Sequence, residues 1–217
     1  MQSYESEIET LFNEWKQKEP HSTNKNFIED GIIDPVRWEK SETKVLFILR
    51  EAYLEEGETE GFNLVKNLRE EEHEKKGKST WRNLAKWAAL LTESITWDEK
   101  KDLPKDWFKY QEAFLSTALI NVKKSGGEKT TDIEEIKSIA KEEKELLSRQ
   151  IEIINPDIIC CCGVFGSVKI LWESIDQIGH RLYKTDKYTV IDYWHPATRW
   201  PQGLFYFGLK GIIDQRN

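Results

Sequence analysis

The chain has 217 residues, of which 33% are charged and 12% are aromatic, with nine Trp among them. These proportions are typical of a globular protein with an aromatic-rich core and exclude a disordered chain. The formal net charge of −7 argues against a protein that coats nucleic acid through counterion release alone, because such binding needs an excess of Lys and Arg.

The sequence shows neither a targeting segment nor a membrane span. Its first residues lack the basic start and apolar run of a signal peptide, and no apolar stretch approaches the roughly 20 residues that cross a bilayer. We therefore expect a cytoplasmic protein with no membrane partner. No second-domain signal is visible, so the predicted organisation is one domain over residues 1–217, in which residues 1–43 form a helical extension packed on the rest.

Four short apolar runs predict buried β-strands, at residues 44–49, 114–122, 157–163 and 188–194. They are apolar on both faces, which is typical of parallel strands covered by helices on both sides.

The three cysteines are the consecutive residues 160–162. Neighbouring side chains of a strand point to opposite faces, so these thiols cannot converge on one metal ion or form a disulfide, and we interpret them as packing residues.

Amphipathic segments alternate with these runs and predict helices. Thr80 is the predicted cap of one helix, Thr131 and Glu134 form a capping-box pattern at another, and Pro156 is expected to end the latter. The predicted helical segments are residues 8–15, 62–68, 81–91, 131–154, 168–175 and 202–214. Such alternation implies an α/β fold, a three-layer α/β/α sandwich around a central four-stranded parallel sheet.

In open parallel sheets, ligands bind beyond the carboxyl ends of the strands, where the strand order reverses. The residues just past the four runs are Glu51, Asn121, Gly163 and His195. Each of them also has an ordinary structural interpretation. In the same order, these are a helix cap, a turn former, a glycine required by a tight turn, and a structural histidine whose hydrogen bonds are satisfied. Their coincidence at one edge favours a catalytic constellation.

Several stretches of the chain resemble the uracil-DNA glycosylase superfamily, particularly its bacterial and archaeal branch with an iron–sulfur cluster. The most specific are ALINVKKSGG (118–127), followed by an acidic helix, and LLSRQIEIINPDIICCCG (146–163). VLFILREA (45–52) and WHPATR (194–199) are similar to the two catalytic motifs of that superfamily. The resemblance spans residues 44–200 and implies a uracil-DNA glycosylase-like fold.

The resemblance implies roles for five residues. Glu51 would orient the attacking water and stabilise the oxocarbenium-like charge on the sugar, and Asn121 would hydrogen-bond the edge of an extruded uracil. His195 would donate to the oxygen of the departing base as negative charge develops there. Phe62 would stack on the base, unless it is the first core residue of its helix, and Tyr53 would line the pocket and restrict base size, or block it.

The resemblance also implies contacts to DNA. Backbone amides of the GVFG turn and the side chain of Lys123 would hold phosphates without reading sequence. Thr198 would replace the hydroxyl that is lost where the family's HPS reads HPA. Arg199 or Trp200 would be the wedge that fills the gap left by a flipped base, unless Trp200 packs on the last helix. The implied DNA-binding residues are Lys123, Gly163, Gly166, Thr198, Arg199 and Trp200.

The chain departs from the family pattern around the first motif. Arg50 and Tyr53 stand where the family has glycine and proline, and the acidic segment 55–60 would repel a phosphate backbone unless it faces away. Acidic residues outnumber basic ones 25 to 18 in residues 1–113, against 14 of each in residues 114–217, so any DNA contact must be local. The cluster cysteines are absent, so we predict no iron–sulfur centre, no metal and no cofactor.

The leading hypothesis is a DNA glycosylase that removes uracil or a related damaged base by base flipping, as in base excision repair. Its partner would be uracil-containing DNA, single- or double-stranded, and we expect a monomer. The alternative is a non-catalytic or differently specific relative that binds a nucleobase, a nucleotide or a protein partner. A third interpretation is a flavodoxin-like or nucleotide-binding α/β protein, in which GVFG forms the phosphate turn.

Overall fold

A mixed β-sheet forms the centre of the molecule in the computed structural model, which describes residues 2–53, 60–70, 78–92, 108–127, 131–198 and 202–216. Within these residues the sheet has seven strands in the order β1-β4-β2-β6-β9-β8-β7. They are β1 (Gly31–Ile32), β2 (Val45–Leu49), β4 (Ala118–Asn121), β6 (Ile158–Cys162), β7 (Asp176–Gly179), β8 (Leu182–Lys184) and β9 (Thr189–Tyr193). Strands β3 (Ala52–Tyr53) and β5 (Gly126–Gly127) form a separate parallel pair.

The four central strands, β4, β2, β6 and β9, are parallel to one another. They correspond to the four predicted apolar runs, so the predicted α/β class is confirmed. The sheet is wider than the predicted four strands, because β1 pairs antiparallel with β4 at one edge and the β7–β8 hairpin pairs antiparallel with β9 at the other. These edge strands are short, and β7 is largely exposed, so they lack the continuous apolar pattern that identified the central ones.

Helices cover both faces of the sheet. Phe47 and Cys160 face a core formed largely with α4, α5, α6 and α10, whereas Leu46 and Cys161 face a core formed with α1, α7 and α8. The alternation of strand side chains thus explains why β2 and β6 are buried at every position. The helices are α1 (Gln2–Lys16), α2 (His21–Asn24), α3 (Pro35–Lys40), α4 (Leu64–Glu70), α5 (Lys78–Leu91), α6 (Phe108–Leu115), α7 (Ile133–Glu142), α8 (Lys144–Ile154), α9 (Phe165–Val168) and α10 (Gln202–Ile213).

Some predicted helix ends were wrong. Thr80 lies inside α5 rather than before it, and the cap of α7 is Asp132, whose carboxylate accepts a hydrogen bond from the Glu134 N–H. The predicted continuous helix over 131–154 is interrupted at Glu143. The C-cap of α8 is Asn155, which adopts the left-handed conformation (φ 51°) just before Pro156.

Two further segments differ from the sequence predictions. The run 114–122 is a strand only from Ala118, because its first residues belong to α6. The expected helix over 168–175 is limited to α9 and a 3-10 turn at Lys169–Leu171. The N-terminal segment is not purely helical, since β1 joins the main sheet and the Ile32 N–H donates to the Tyr4 hydroxyl at 3.0 Å. In the part of the chain that the structure describes, no helix has the length and apolarity of a membrane span.

Candidate functional site

The four parallel strands end at one rim of the sheet. Asn121 pairs with Leu49 and Tyr193 pairs with Cys162, so the residues that follow these strands lie along the same edge. From β2 the chain crosses to β4 on one side and then to β6 and β9 on the other. The strand order therefore reverses between β2 and β6, which is where open α/β sheets place their ligands.

The carboxylate of Glu51 is held by the loop that follows β4. The hydroxyl of Thr131 donates to Glu51 Oε1 at 2.6 Å, and Lys123 Nζ lies 3.4 Å from Oε2. Gly127 of β5 packs against the same group, since a Cβ placed on Gly127 would lie 1.9 Å from Glu51 Cδ. With 6% of its side chain exposed, Glu51 is fixed and largely shielded from solvent.

Lys123, an implied phosphate ligand, has its charge engaged by two carboxylates. Its Nζ lies 2.8 Å from Glu135 Oε1 in addition to its contact with Glu51. Burial by itself would lower the pKa of Lys123, but the hydrogen bond to Glu135 and the charge of Glu51 raise the pKa above its usual value. Lys123 therefore serves first as a counter-ion shared by Glu135 and Glu51.

His195 is neutral near pH 7. Burial, assisted by the positive charge of Arg50, lowers the pKa of His195 to about 4. The backbone N–H of Ala197 donates to His195 Nδ1 at 3.2 Å, so the proton of the neutral ring resides on Nε2. The ring can therefore donate a hydrogen bond from Nε2 without carrying a charge.

Arg50 and Gly163 meet at the reversal of strand order. Both Nε and Nη2 of Arg50 donate to the Gly163 carbonyl at 3.3 Å. Gly163 has φ +71°, and a Cβ on it would lie 3.1 Å from His195 Cβ and 3.3 Å from Arg50 Nη2. Only glycine therefore lets the two side chains approach the turn after β6.

Asn121 is directed towards a buried ion pair. Its backbone N–H and its side-chain Nδ2 donate to Asp30 Oδ2 at 2.7 and 3.4 Å. Asp30 Oδ1 accepts from Lys124 Nζ at 2.6 Å and from Gln150 Nε2 at 2.8 Å. Burial lowers the pKa of Lys124, although the charge of Asp30 opposes this. Asn121 is thus part of the wall behind the rim, with 2% of its surface exposed.

The two aromatic residues implied to contact the base differ in how far they are exposed. Tyr53 in β3 is 55% exposed, whereas Phe62 packs partly against the core and its backbone carbonyl accepts from the Glu29 N–H at 2.9 Å. Phe62 also lines a cavity of about 500 Å³ whose described lining does not include Glu51 or His195. That cavity is lined by Lys16, His21, Ser22, Lys25, Phe27, Glu29, Gly61, Phe62 and Asn63.

The implied DNA contacts are described only in part. Gly166 is exposed at the start of α9, and a Cβ on it would meet nothing within 4 Å. The Thr198 N–H donates to the His195 carbonyl at 3.0 Å, so the backbone of Thr198 lies next to His195. Arg199 and Trp200 lie outside the described residues, as do residues 55–59 of the acidic segment.

Three residues of the site were not singled out from the sequence. Thr131 was predicted only as a cap, Arg50 was noted only as a departure from the family pattern, and Asp30 was not considered. The signal for Thr131 is its place in the polar loop that follows the Asn121 strand, because loops at the carboxyl ends of parallel strands border the ligand site. No periodic pattern marks Asp30, whose partners lie about 90 residues or more away in sequence.

The three cysteines are free thiols and are buried. Burial raises the pKa of the Cys161 and Cys162 thiols well above the usual value, so both stay protonated. Among the described residues, no group of three or more His, Cys, Asp or Glu side chains has the arrangement of a metal site.

Comparisons of the chain with protein-family models, curated proteins and solved structures found no match.

Proposed function

We propose that the protein hydrolyses the N-glycosidic bond of uracil, or of a related damaged base, that is flipped out of DNA. The observation that carries this proposal is the neutral His195, whose Nδ1 accepts from Ala197 and whose Nε2–H is left to donate. When the bond breaks, its electron pair stays on the base, and negative charge develops on a base oxygen. A neutral donor stabilises that charge without first losing its own proton.

Glu51 supports the other half of the reaction. The sugar carbon becomes positively charged as the base leaves, and a fixed carboxylate stabilises that charge and orients the attacking water. Water adds its hydroxyl to the carbon, and its proton reaches the base through solvent. Thr131 and Lys123 hold the carboxylate in one place, and the proposed reaction uses no cofactor.

DNA is the proposed partner, either single- or double-stranded. Because the Nδ2 of Asn121 faces Asp30, its Oδ1 is the atom left to accept a hydrogen bond from the base edge. Thr198 and the turn from Gly163 to Gly166 are proposed to contact phosphates, which positions DNA without reading its sequence. The corresponding process is base excision repair, carried out in the cytoplasm by a monomer.

A second candidate function is binding of a nucleobase or nucleotide without hydrolysis. It is favoured by the low exposure of Glu51, whose two carboxylate oxygens already contact Thr131 and Lys123. A carboxylate in this state stabilises the rim, and water and a sugar can approach it only if Gly127 and Thr131, which pack against it, move. If these two residues do not move, the same rim binds a base without cleaving its bond.

The test is incubation of the purified protein with oligonucleotides that carry a single uracil, in single- and double-stranded form. Alkali then cleaves the strand wherever a base has been removed. The protein is produced in a host that lacks its own uracil-DNA glycosylase. Glycosylase function predicts strand cleavage that Glu51→Gln and His195→Ala each reduce by at least about 100-fold, which corresponds to roughly 2.7 kcal/mol of transition-state stabilisation.

Matched controls separate catalysis from folding. Glu134→Gln removes an exposed carboxylate of α7, and His180→Ala removes an exposed imidazole of the β7–β8 turn, and both are expected to retain wild-type cleavage. Cleavage that persists in Glu51→Gln and His195→Ala would contradict the proposal. Tight binding of the oligonucleotide with no cleavage of any tested base would favour the second candidate.

A further inference from the structure

Among the described residues, the hydrogen bonds of Arg50 use one edge of its guanidinium. The guanidinium carries five N–H groups in a planar fork, and Nε and Nη2 share the Gly163 carbonyl. The remaining edge, formed by Nη1 and Nη2, is the one that binds two oxygens of a carboxylate or phosphate side by side. In the part of the chain that the structure describes, no carboxylate forms an ion pair with Arg50.

The nearest carboxylate in sequence does not compete for this edge. Glu51 turns away from Arg50 and contacts Thr131 and Lys123. The Lys123 ammonium, which also pairs with Glu135, offsets part of the negative charge of Glu51 that would otherwise repel an incoming anion. Arg50 is left with a half-buried charge that is oriented by Gly163 and that no described carboxylate contacts. Burial lowers the pKa of Arg50, and the charge of Glu51, which acts without direct contact, opposes this.

Arg50 and His195 approach the same side of Gly163. A Cβ on Gly163 would lie 3.1 Å from His195 Cβ and 3.3 Å from Arg50 Nη2. This place lies between β2 and β6, where the strand order reverses and where α/β sheets hold phosphate groups. The His195 ring is uncharged there, and its Nε2–H can donate a hydrogen bond to a neighbouring group.

We propose that Arg50 binds a phosphate group at the turn after β6, through the edge of its guanidinium that Gly163 does not occupy. This site goes beyond base release, because it holds a nucleotide whether or not its glycosidic bond is hydrolysed. The phosphate belongs either to a mononucleotide or to the backbone of a nucleic acid. Both sources present the two oxygens that the fork of Arg50 matches.

The test is a binding measurement that does not depend on hydrolysis. Isothermal titration with deoxyuridine, deoxyuridine 5′-monophosphate and inorganic phosphate is compared with anisotropy of a labelled single-stranded oligonucleotide of normal bases. We expect phosphate-bearing probes to bind wild-type protein, and Arg50→Gln to weaken them by about tenfold or more, as expected for hydrogen bonds to a charged group. Arg50→Lys keeps the charge but not the fork, so we expect an intermediate loss.

Two controls make the result decisive. Arg149→Gln removes a cation from the exposed pair of α8 with Glu14 and should leave every probe unchanged. Thermal unfolding checks that Arg50→Gln is folded; if it is not, Arg50→Lys decides, since wild-type affinity in that variant would overturn the role of the fork.

The pattern of probes identifies the source of the phosphate. Loss of deoxyuridine monophosphate and inorganic phosphate binding in Arg50→Gln supports a mononucleotide site, and loss of oligonucleotide binding alone supports a backbone site. Absence of binding by the wild type, or equal affinity of wild type and Arg50→Gln for all phosphate probes, would overturn the proposal. Neither outcome depends on whether uracil is released, so the two proposals fail separately.

Discussion

The hydroxyl of Thr131 donates to Oε1 of Glu51 at 2.6 Å, across 80 residues of sequence. The bond joins the loop after β2 to the residue that precedes the cap of α7. Together with Lys123 it fixes a carboxylate at the rim of the sheet. The position of Glu51 therefore depends on a loop that contributes no catalytic group of its own in the proposed reaction.

Thr131→Val is expected to slow base release while leaving the fold intact. Valine keeps the shape of threonine but cannot donate, and one such bond contributes about 1 kcal/mol, or roughly fivefold in rate. The loss should appear in kcat, measured by single-turnover strand cleavage. Thr10→Val removes a comparable hydroxyl on α1 and should have no effect, and an unchanged kcat in Thr131→Val would show that this bond does not set the position of Glu51.

Gly127→Ala is expected to displace Glu51. A Cβ on Gly127 would lie 1.9 Å from Glu51 Cδ and 2.1 Å from its Oε2, so the carboxylate must leave its place. The colliding atoms belong to the end of a side chain, so the cost in the free energy of unfolding should be only about 1 kcal/mol. Cleavage activity should fall as far as in Glu51→Gln.

Gly211→Ala, at an exposed position of α10, is the matched control for this substitution. Its new Cβ would meet nothing within 4 Å, so both stability and cleavage should stay near wild-type values. Gly61→Ala provides the opposite case, because its Cβ would lie 2.0 Å from the Phe27 carbonyl oxygen. Backbone cannot yield as a side chain does, so this variant should unfold more easily, and wild-type stability in Gly61→Ala would contradict the packing described around Phe27.

Asp30→Asn is expected to destabilise the protein strongly. The side chains of Asp30 and Lys124 are 0% and 1% exposed, and removing one partner leaves the other as an uncompensated buried charge. Such losses amount to about 3–5 kcal/mol, which urea denaturation measures directly. The double variant Asp30→Asn with Lys124→Met should recover part of the loss, whereas additive effects of the two substitutions would show that the pair is not energetically coupled.

The central strands could be predicted from the sequence because they are buried on both faces along most of their length. Residues 45–49 and 158–162 are apolar at every position, and no amphipathic helix of that length shows the same pattern. The antiparallel edges could not be predicted in this way, since β7 is polar and β1 has only two residues. Their pairing is decided by contacts with β9 and β4 that are distant along the chain.

The site could be predicted only as far as local sequence determines it. Glu51, Gly163 and His195 follow directly from the ends of parallel strands. Thr131 reaches Glu51 because the loop after β4 folds back, and no local pattern fixes the course of such a loop. The same holds for Asp30, whose contact with Asn121 spans 91 residues of sequence.

The stability of the protein should fall between about pH 6.5 and pH 4 because of His195. Its pKa in the folded state is about 4, whereas the unfolded chain binds the proton near the ordinary value of about 6.5. At pH 7 both states are neutral, so His195 makes no difference there. As the pH falls below 6.5 the unfolded state gains a proton that the folded state lacks, so folding loses up to about 3 kcal/mol by pH 4 and no more below it.

The effect of His195 is isolated by comparing urea midpoints of wild type and His195→Gln over this range. Because glutamine does not titrate, the stability of the His195→Gln variant should decline less than that of the wild type between pH 6.5 and 4. The two stability curves should run parallel above pH 7. Groups common to both proteins cancel in the difference. His21 also has a lowered pKa, mainly through burial, so His21→Gln measures its separate share. Parallel curves over the whole range would mean that His195 is already protonated in the folded state at mildly acidic pH. His195 would then not be the neutral hydrogen-bond donor that the proposed base release requires.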